Sequence, residues 1–223
     1  MPHYDCKDPF DPRIISTCTL RKLIGCIGIL LPLSLGVGGF VVGGCNEIQS
    51  SVSDYYHVRI MGDVFVGLLF AVAVFLITYR GYDRDHLWSR LAGIAAFCVA
   101  LFPTCVDANP PCIAAGVPES TTSTIHFVSA AVFIGVLTYF SLFLFRKSDD
   151  PQPPPQKRRR NSVFLWCGMI MLLCLILLVV YFAFLEQRMS IQHLKPVFWL
   201  ETIALAAFGV SWLTKGQLIF ADA

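Results

Sequence analysis

Charged side chains are scarce in this chain. Asp, Glu, Lys and Arg make up 14% of its 223 residues, against about 25% in a soluble globular domain. That shortfall excludes an ordinary soluble surface and leaves a membrane protein, in keeping with 56% hydrophobic residues and a mean hydropathy of +0.65. Several chemistry-bearing motifs are missing too. There is no Gly-rich loop with a following Lys-Ser/Thr for phosphates, no HExxH, no GxSxG nucleophile elbow and no CxxC. The opening MPHYDCKDPFDP lacks the basic n-region of a cleavable signal, so the first apolar segment is expected to stay as an anchor. A net charge of +2 is small and says nothing of a nucleic-acid partner, and none is expected.

What is present is a series of long apolar runs. Crossing the hydrocarbon core takes about 20 predominantly apolar residues, and six stretches reach or approach this: 23–44, 60–79, 87–104, 125–145, 163–185 and 197–218. The third is the shortest and ends at Pro103, the sixth carries Glu201, and the fifth contains no charge at all. Backbone groups in lipid must be satisfied within the segment, and the runs lack barrel-like alternation, so helices are expected. The expected fold is all-α, a single domain over residues 1–223 built as a bundle of six transmembrane helices. With the N-terminus cytoplasmic, 14 of the 17 Lys and Arg residues fall inside and only Arg59, Arg188 and Lys195 outside. Both termini are then cytoplasmic, in a bacterial-type inner membrane.

The loops take on characters from this topology. Residues 146–161, RKSDDPQPPPQKRRRN, form a Pro-rich basic cytoplasmic linker. Its Lys157, Arg158, Arg159 and Arg160 are placed to meet anionic lipid headgroups. The loop 104–124 has no Lys or Arg and lies outside, where Cys105 and Cys112 can close it by a disulfide. Cys26, Cys98, Cys167 and Cys174 fall within apolar spans and read as small hydrophobes. The Gly39–Gly43 pair in LGVGGFVVGG allows close helix approach, either to a second copy in an oligomer or to a neighbour in the same chain.

Ionisable residues gather at the outer ends of the spans: His57, Asp63, Asp107, His126, Glu186 and Glu201. Charged groups at membrane depth are costly and normally face a protein interior or a wet cavity. His57, Asp63, His126 and Glu201 are the candidate ligand-binding residues. His57 and His126 are the candidate metal ligands, with zinc the ion their chemistry suits. Ser53, Asp63 and Glu201 are the candidate catalytic groups. Plainer readings stand beside these. Ser53 caps a helix whose dipole Asp54 complements, Arg59 and Asp63 pair at i and i+4, and His126 sits in the headgroup zone.

The six-span plan, with SVSDYYH before the second span, FPT closing the third and IHFVSAAVFIG opening the fourth, resembles the DUF998 and Frag1-like bacterial integral membrane proteins. The resemblance covers residues 20–146 best and implies a multi-pass fold without a defined activity. Ser53-xxx-His57 is similar to the Ser-xxx-His of the alkaline ceramidase-like (CREST) membrane hydrolases. That resemblance implies a zinc site in which Ser53, His57 and Asp63 match. The family's His-xxx-His in its last span is missing here, His126 lies on another helix, and a seventh span is absent. The functional expectation is an outer polar site for a headgroup, ion or small ligand. The alternatives are a metal-assisted hydrolase of a lipid or amide bond and a small-solute transporter.

Overall fold

The computed structural model describes residues 16–79, 85–105, 112, 120–148, 152, 154–185 and 192–221. Asp107 and Glu186, two members of the expected outer ring, lie outside them. The described residues form six α-helices: α1 (Thr17–Val41), α2 (Arg59–Thr78), α3 (Asp85–Leu101), α4 (Ser120–Tyr139), α5 (Pro155–Val180) and α6 (Pro196–Lys215). π-helical turns extend α4 over Phe140–Leu144 and α5 over Tyr181–Leu185, and a 3-10 turn, Ser53–His57, precedes α2. Five of these helices are long and apolar enough to cross a membrane, while the apolar stretch of α3, His86–Leu101, is shorter. Pro103 explains the early stop, since the residue before a proline is pushed out of the helical region.

Each helix packs against its neighbours in chain order, and α6 closes the ring against α1. That closure depends on glycine. A Cβ on Gly25 would lie 2.8 Å from the carbonyl oxygen of Gly209, and one on Gly209 would lie 2.5 Å from that of Gly25, so the two backbones touch where both side chains are absent. The outer face of the ring is apolar. Val37, Ile94, Val128, Trp166, Leu173 and Phe184 are all exposed, a surface that suits lipid rather than water.

The two ends of the ring differ. At one end the start of α1 meets the end of α6, where Gly216 abuts Lys22. Trp212 of α6 is buried there among Phe75, Tyr79, Phe140, Phe145 and Phe208. Cations cover this aromatic cluster: Arg21 lies over Tyr79 and Lys215 over Phe145. At the other end lie the 3-10 turn, the end of α3 and the starts of α4 and α6.

Two expectations are corrected at this level. Residues 157–160 are not linker but belong to the first turns of α5, which starts at Pro155. Proline suits the first helical turn, and Lys, Arg and Gln propagate it. Within this run Lys157 Nζ donates to Phe145 O at 2.8 Å and Arg160, buried, donates to Phe220 O at 2.8 Å. Arg158 and Arg159 are the exposed pair. The disulfide also differs: Cys112 is bonded to Cys45, not to Cys105. Gly44, at φ 74°, turns the chain after α1 and the Cys45 amide bonds back to Gly39 O at 2.9 Å, which buries Cys45 beneath the polar end. Cys105 is exposed, its backbone N–H donating to Ser123 Oγ at 3.3 Å.

Candidate polar site and central cavity

The segment from Cys45 to Val58 folds over the polar end and carries most of the site. The glycine-rich end of α1 makes the seat for it: Tyr55, fully buried, packs where a Cβ on Gly39 would approach its ring to 2.8 Å, and Val58 packs likewise on Gly43. Of the two uses open to the Gly39–Gly43 pair, packing within the chain is the one this arrangement displays. Tyr55 Oη accepts from the Gln49 amide at 3.4 Å, and Gln49 Nε2 points at both disulfide sulfurs. Ser51 and Asp54 exchange bonds, Ser51 N–H to Asp54 Oδ2 at 2.9 Å and Asp54 N–H to Ser51 Oγ at 3.0 Å, the reciprocal geometry of a capping box. Ser51, rather than Ser53, is therefore the serine that bonds with Asp54 at the start of this turn.

Ser53 is thereby left for another partner. Its Oγ lies 2.9 Å from His126 Nε2, while His126 Nδ1 lies 2.7 Å from Phe102 O. A carbonyl only accepts, so Nδ1 carries the proton, and in the neutral ring Nε2 accepts from the Ser53 hydroxyl. His126 is 1% exposed and Ser53 8%, so both are shielded inside the bundle. The carbonyl of Phe102 is available because α3 ends at Leu101, so no following helical N–H reaches it. His57 Nε2 donates to the next freed carbonyl, Thr104 O, at 2.8 Å, and Thr104 Oγ1 donates to Asp54 Oδ1 at 3.3 Å. Burial pushes the Asp54 carboxyl above its ordinary value, against the hydrogen bonds from Ser51 and Thr104 and the charge of His57, which pull it down.

Glu201 closes the site from α6. The Phe198 amide, in the first turn of that helix, donates to Ser50 O at 3.0 Å, which docks the 50–52 segment across the helix start. Val52 N–H then donates to Glu201 Oε2 at 2.7 Å. Lys195 does not serve Glu201; its partner is Glu47 at 3.3 Å.

Of the residues expected to share a site, Ser53, His126 and Glu201 are brought together, and His57 joins them through Thr104 and Asp54. Asp63 is not: it is exposed on α2, one turn past the point where the chain leaves the site, and no ion pair with Arg59 forms. The expected metal pair is also divided. His126 uses both ring nitrogens in hydrogen bonds and His57 is turned to Thr104. Among the described residues no three His, Cys, Asp or Glu side chains converge to hold a metal ion. Sequence reasoning missed Phe102 O, Thr104 O and the Val52 amide, because backbone groups carry no residue signature. The one available signal was Pro103, which frees carbonyls at the end of α3.

Beneath the polar cluster lies a cavity of about 530 Å³ lined by residues from all six helices and open to the outer face beside Phe127, Ala131, Val179 and Phe182. Its walls include Leu69, Val99, Phe133, Ile134, Leu178, Phe182 and Leu205, and its polar side chains are Ser53 and Glu201. A volume in this range is typical of a small-molecule site with an apolar body and a few placed polar groups.

The family description "Cation transporting ATPase, C-terminus" matches residues 49–218. The chain belongs to this family. The Cation transporting ATPase C-terminus match opens at Gln49, the first residue to bond to the site's Tyr55, and runs through α6, so it contains every site residue from Val52 to Glu201. The DUF998 and CREST resemblances concern other families. No curated protein and no solved structure matches the chain.

Proposed function

We propose that the protein is a six-span membrane protein that binds one amphiphilic molecule in its central cavity. The apolar portion occupies the cavity, and the polar portion meets Ser53 and Glu201. The observation that carries this reading is the distribution of lining groups: two polar side chains at one end of a cavity otherwise walled by aliphatic and aromatic residues. A photoactivatable fatty-acid or lysolipid probe in nanodiscs tests it. Crosslinks are expected at Phe133, Ile134 or Leu178, and to fall at least fivefold when Ala131 is replaced by Trp. Crosslinks confined to the outer face, and unchanged by A131W, would overturn the reading.

In this proposal the basic end faces the cytoplasm, together with both termini, in accord with the bias of Lys and Arg. Arg158 and Arg159, exposed at the foot of α5, contact anionic headgroups there. Reporter fusions at Ala223 and in the 113–119 loop test the orientation, since only the loop fusion should behave as extracytoplasmic. Family membership favours a second reading, in which a cation passes through or rests in the ring with Glu201 and Ser53 as its oxygen ligands. A cation-specific rise in melting temperature that is lost in Glu201→Gln distinguishes it from amphiphile binding.

A further inference from the structure

We propose that Ser53 is an acylatable nucleophile, with His126 as its base, and that the substrate class is a lipid carrying an acyl ester. The inference rests on the amphiphile reading and assigns chemistry to the same cavity. Three groups stand in the order a nucleophile requires. The Ser53 hydroxyl is 2.9 Å from His126 Nε2, and the opposite ring nitrogen is held at 2.7 Å by Phe102 O, so a third group orients the base and sets its tautomer. Here a backbone carbonyl fills the role that a carboxylate fills in the familiar triad. No GxSxG elbow is needed, because the fixed turn Ser53–His57 presents the serine. Ser53 also lines the cavity, so an acyl chain lying there brings its ester to the hydroxyl. Glu201 sits beside it and is not the base in this scheme. Its Oε2 receives the Val52 N–H at 2.7 Å, and that donor, on the residue preceding the nucleophile, serves an oxyanion once the carboxylate yields it.

The step balances with water as the acyl acceptor. Ser53 Oγ forms a bond to the ester carbonyl carbon as its proton passes to His126 Nε2. The carbonyl electron pair moves onto oxygen. On its return the bond to the alcohol oxygen breaks, and the alcohol leaves with the proton from Nε2. Water then attacks the acyl-serine, giving its proton to Nε2, and Ser53 departs with that proton. The net change is ester plus water to carboxylic acid plus alcohol, with no oxidation or reduction.

The test is a long-chain alkyl fluorophosphonate added to the full chain in nanodiscs, with the adduct located by peptide mass spectrometry. An adduct on Ser53 supports the proposal, and an intact protein without one overturns it. His126→Gln is expected to slow labelling at least a hundredfold while the photoactivatable lipid still crosslinks in the cavity; unchanged labelling overturns the assignment of the base. Should that variant not fold, the wild-type pH profile decides. Labelling that falls about tenfold per pH unit on the acid side of the histidine titration supports a base, and a flat profile overturns it. Ser123→Ala, whose hydroxyl accepts only from the Cys105 amide in the same region, is expected to label normally. If the lipid crosslinks and the fluorophosphonate does not react, the chemistry alone fails; if neither enters, the cavity reading fails as well.

Discussion

The two ends of the ring are held together by different physics. At the basic end, large aromatic side chains around Trp212 bury one another, and cations lie over their faces or donate to helix-terminal carbonyls. At the polar end, polar side chains reach backbone groups freed where α3 stops and where the 50–52 segment crosses α6. Packing is tolerant of small shifts because dispersion is spread over many atoms. A buried hydrogen-bonded network is not, because each lost partner leaves an unmet group. The basic end is therefore held by many small contacts, and the polar end by a few specific bonds.

The sharpest way to break this contrast is to damage each end separately. Trp212→Ala should cost about 3–5 kcal/mol in detergent unfolding, and amide exchange should rise at the ends of α2, α4 and α6 while the Ser53–His126 region keeps its protection. Removing the Cys45–Cys112 bond with paired Ser substitutions should cost about 2–4 kcal/mol, because the bond spans 67 residues of sequence and constrains the unfolded chain. Because that term acts on the unfolded chain, globally exchanging amides should speed up at both ends, with an additional local rise confined to the polar end. A uniform rise in exchange from either variant would mean that the two ends do not behave as separate regions.

Smaller effects sharpen the comparison. His126→Phe leaves Phe102 O and the Ser53 hydroxyl without their partner and should cost about 2 kcal/mol. Ser141→Ala removes a 2.7 Å bond to Ser211 nearer the basic end and should cost about 1 kcal/mol. A larger loss from Ser141→Ala than from His126→Phe would contradict the division made here. The smallest effect is one of pH. Burial raises the Asp54 carboxyl above its ordinary value of 3.8, so the native protein holds a proton that the unfolded chain has released. Asp54 thus favours the folded state most below pH 3.8, and that contribution disappears as pH rises through the raised native value. Melting curves across this window should flatten in Asp54→Asn relative to wild type.

Much of the bundle could be read from composition and spacing. All six apolar runs are helical, and Pro103 marks the end of α3 as its backbone restriction requires. The linker expected over 146–161 is helical from Pro155 onward, because proline at a first helical turn and the propensity of Lys and Arg favour helix. The site was legible only in part. Glu201 and His126 stood out as ionisable groups at membrane depth, and Ser53 drew attention through its spacing from His57. Asp63 belonged to the same list by hydropathy, yet helical phase turns it outward.

Residue type and order alone determined that this chain forms apolar helices ending where they do, because hydrocarbon burial and backbone satisfaction act locally along each segment. Tertiary structure decided which polar groups meet. It paired Cys45 with Cys112, gave the Ser53 hydroxyl to His126 instead of a helix cap, and set the Val52 amide on Glu201. The reason is that each of these contacts joins residues far apart in sequence, and other partners in the site, Phe102 O and Thr104 O, are backbone atoms of a kind that every residue possesses. Their availability arises only when a helix ends or a non-helical segment crosses another element, and only the folded ring brings those places together.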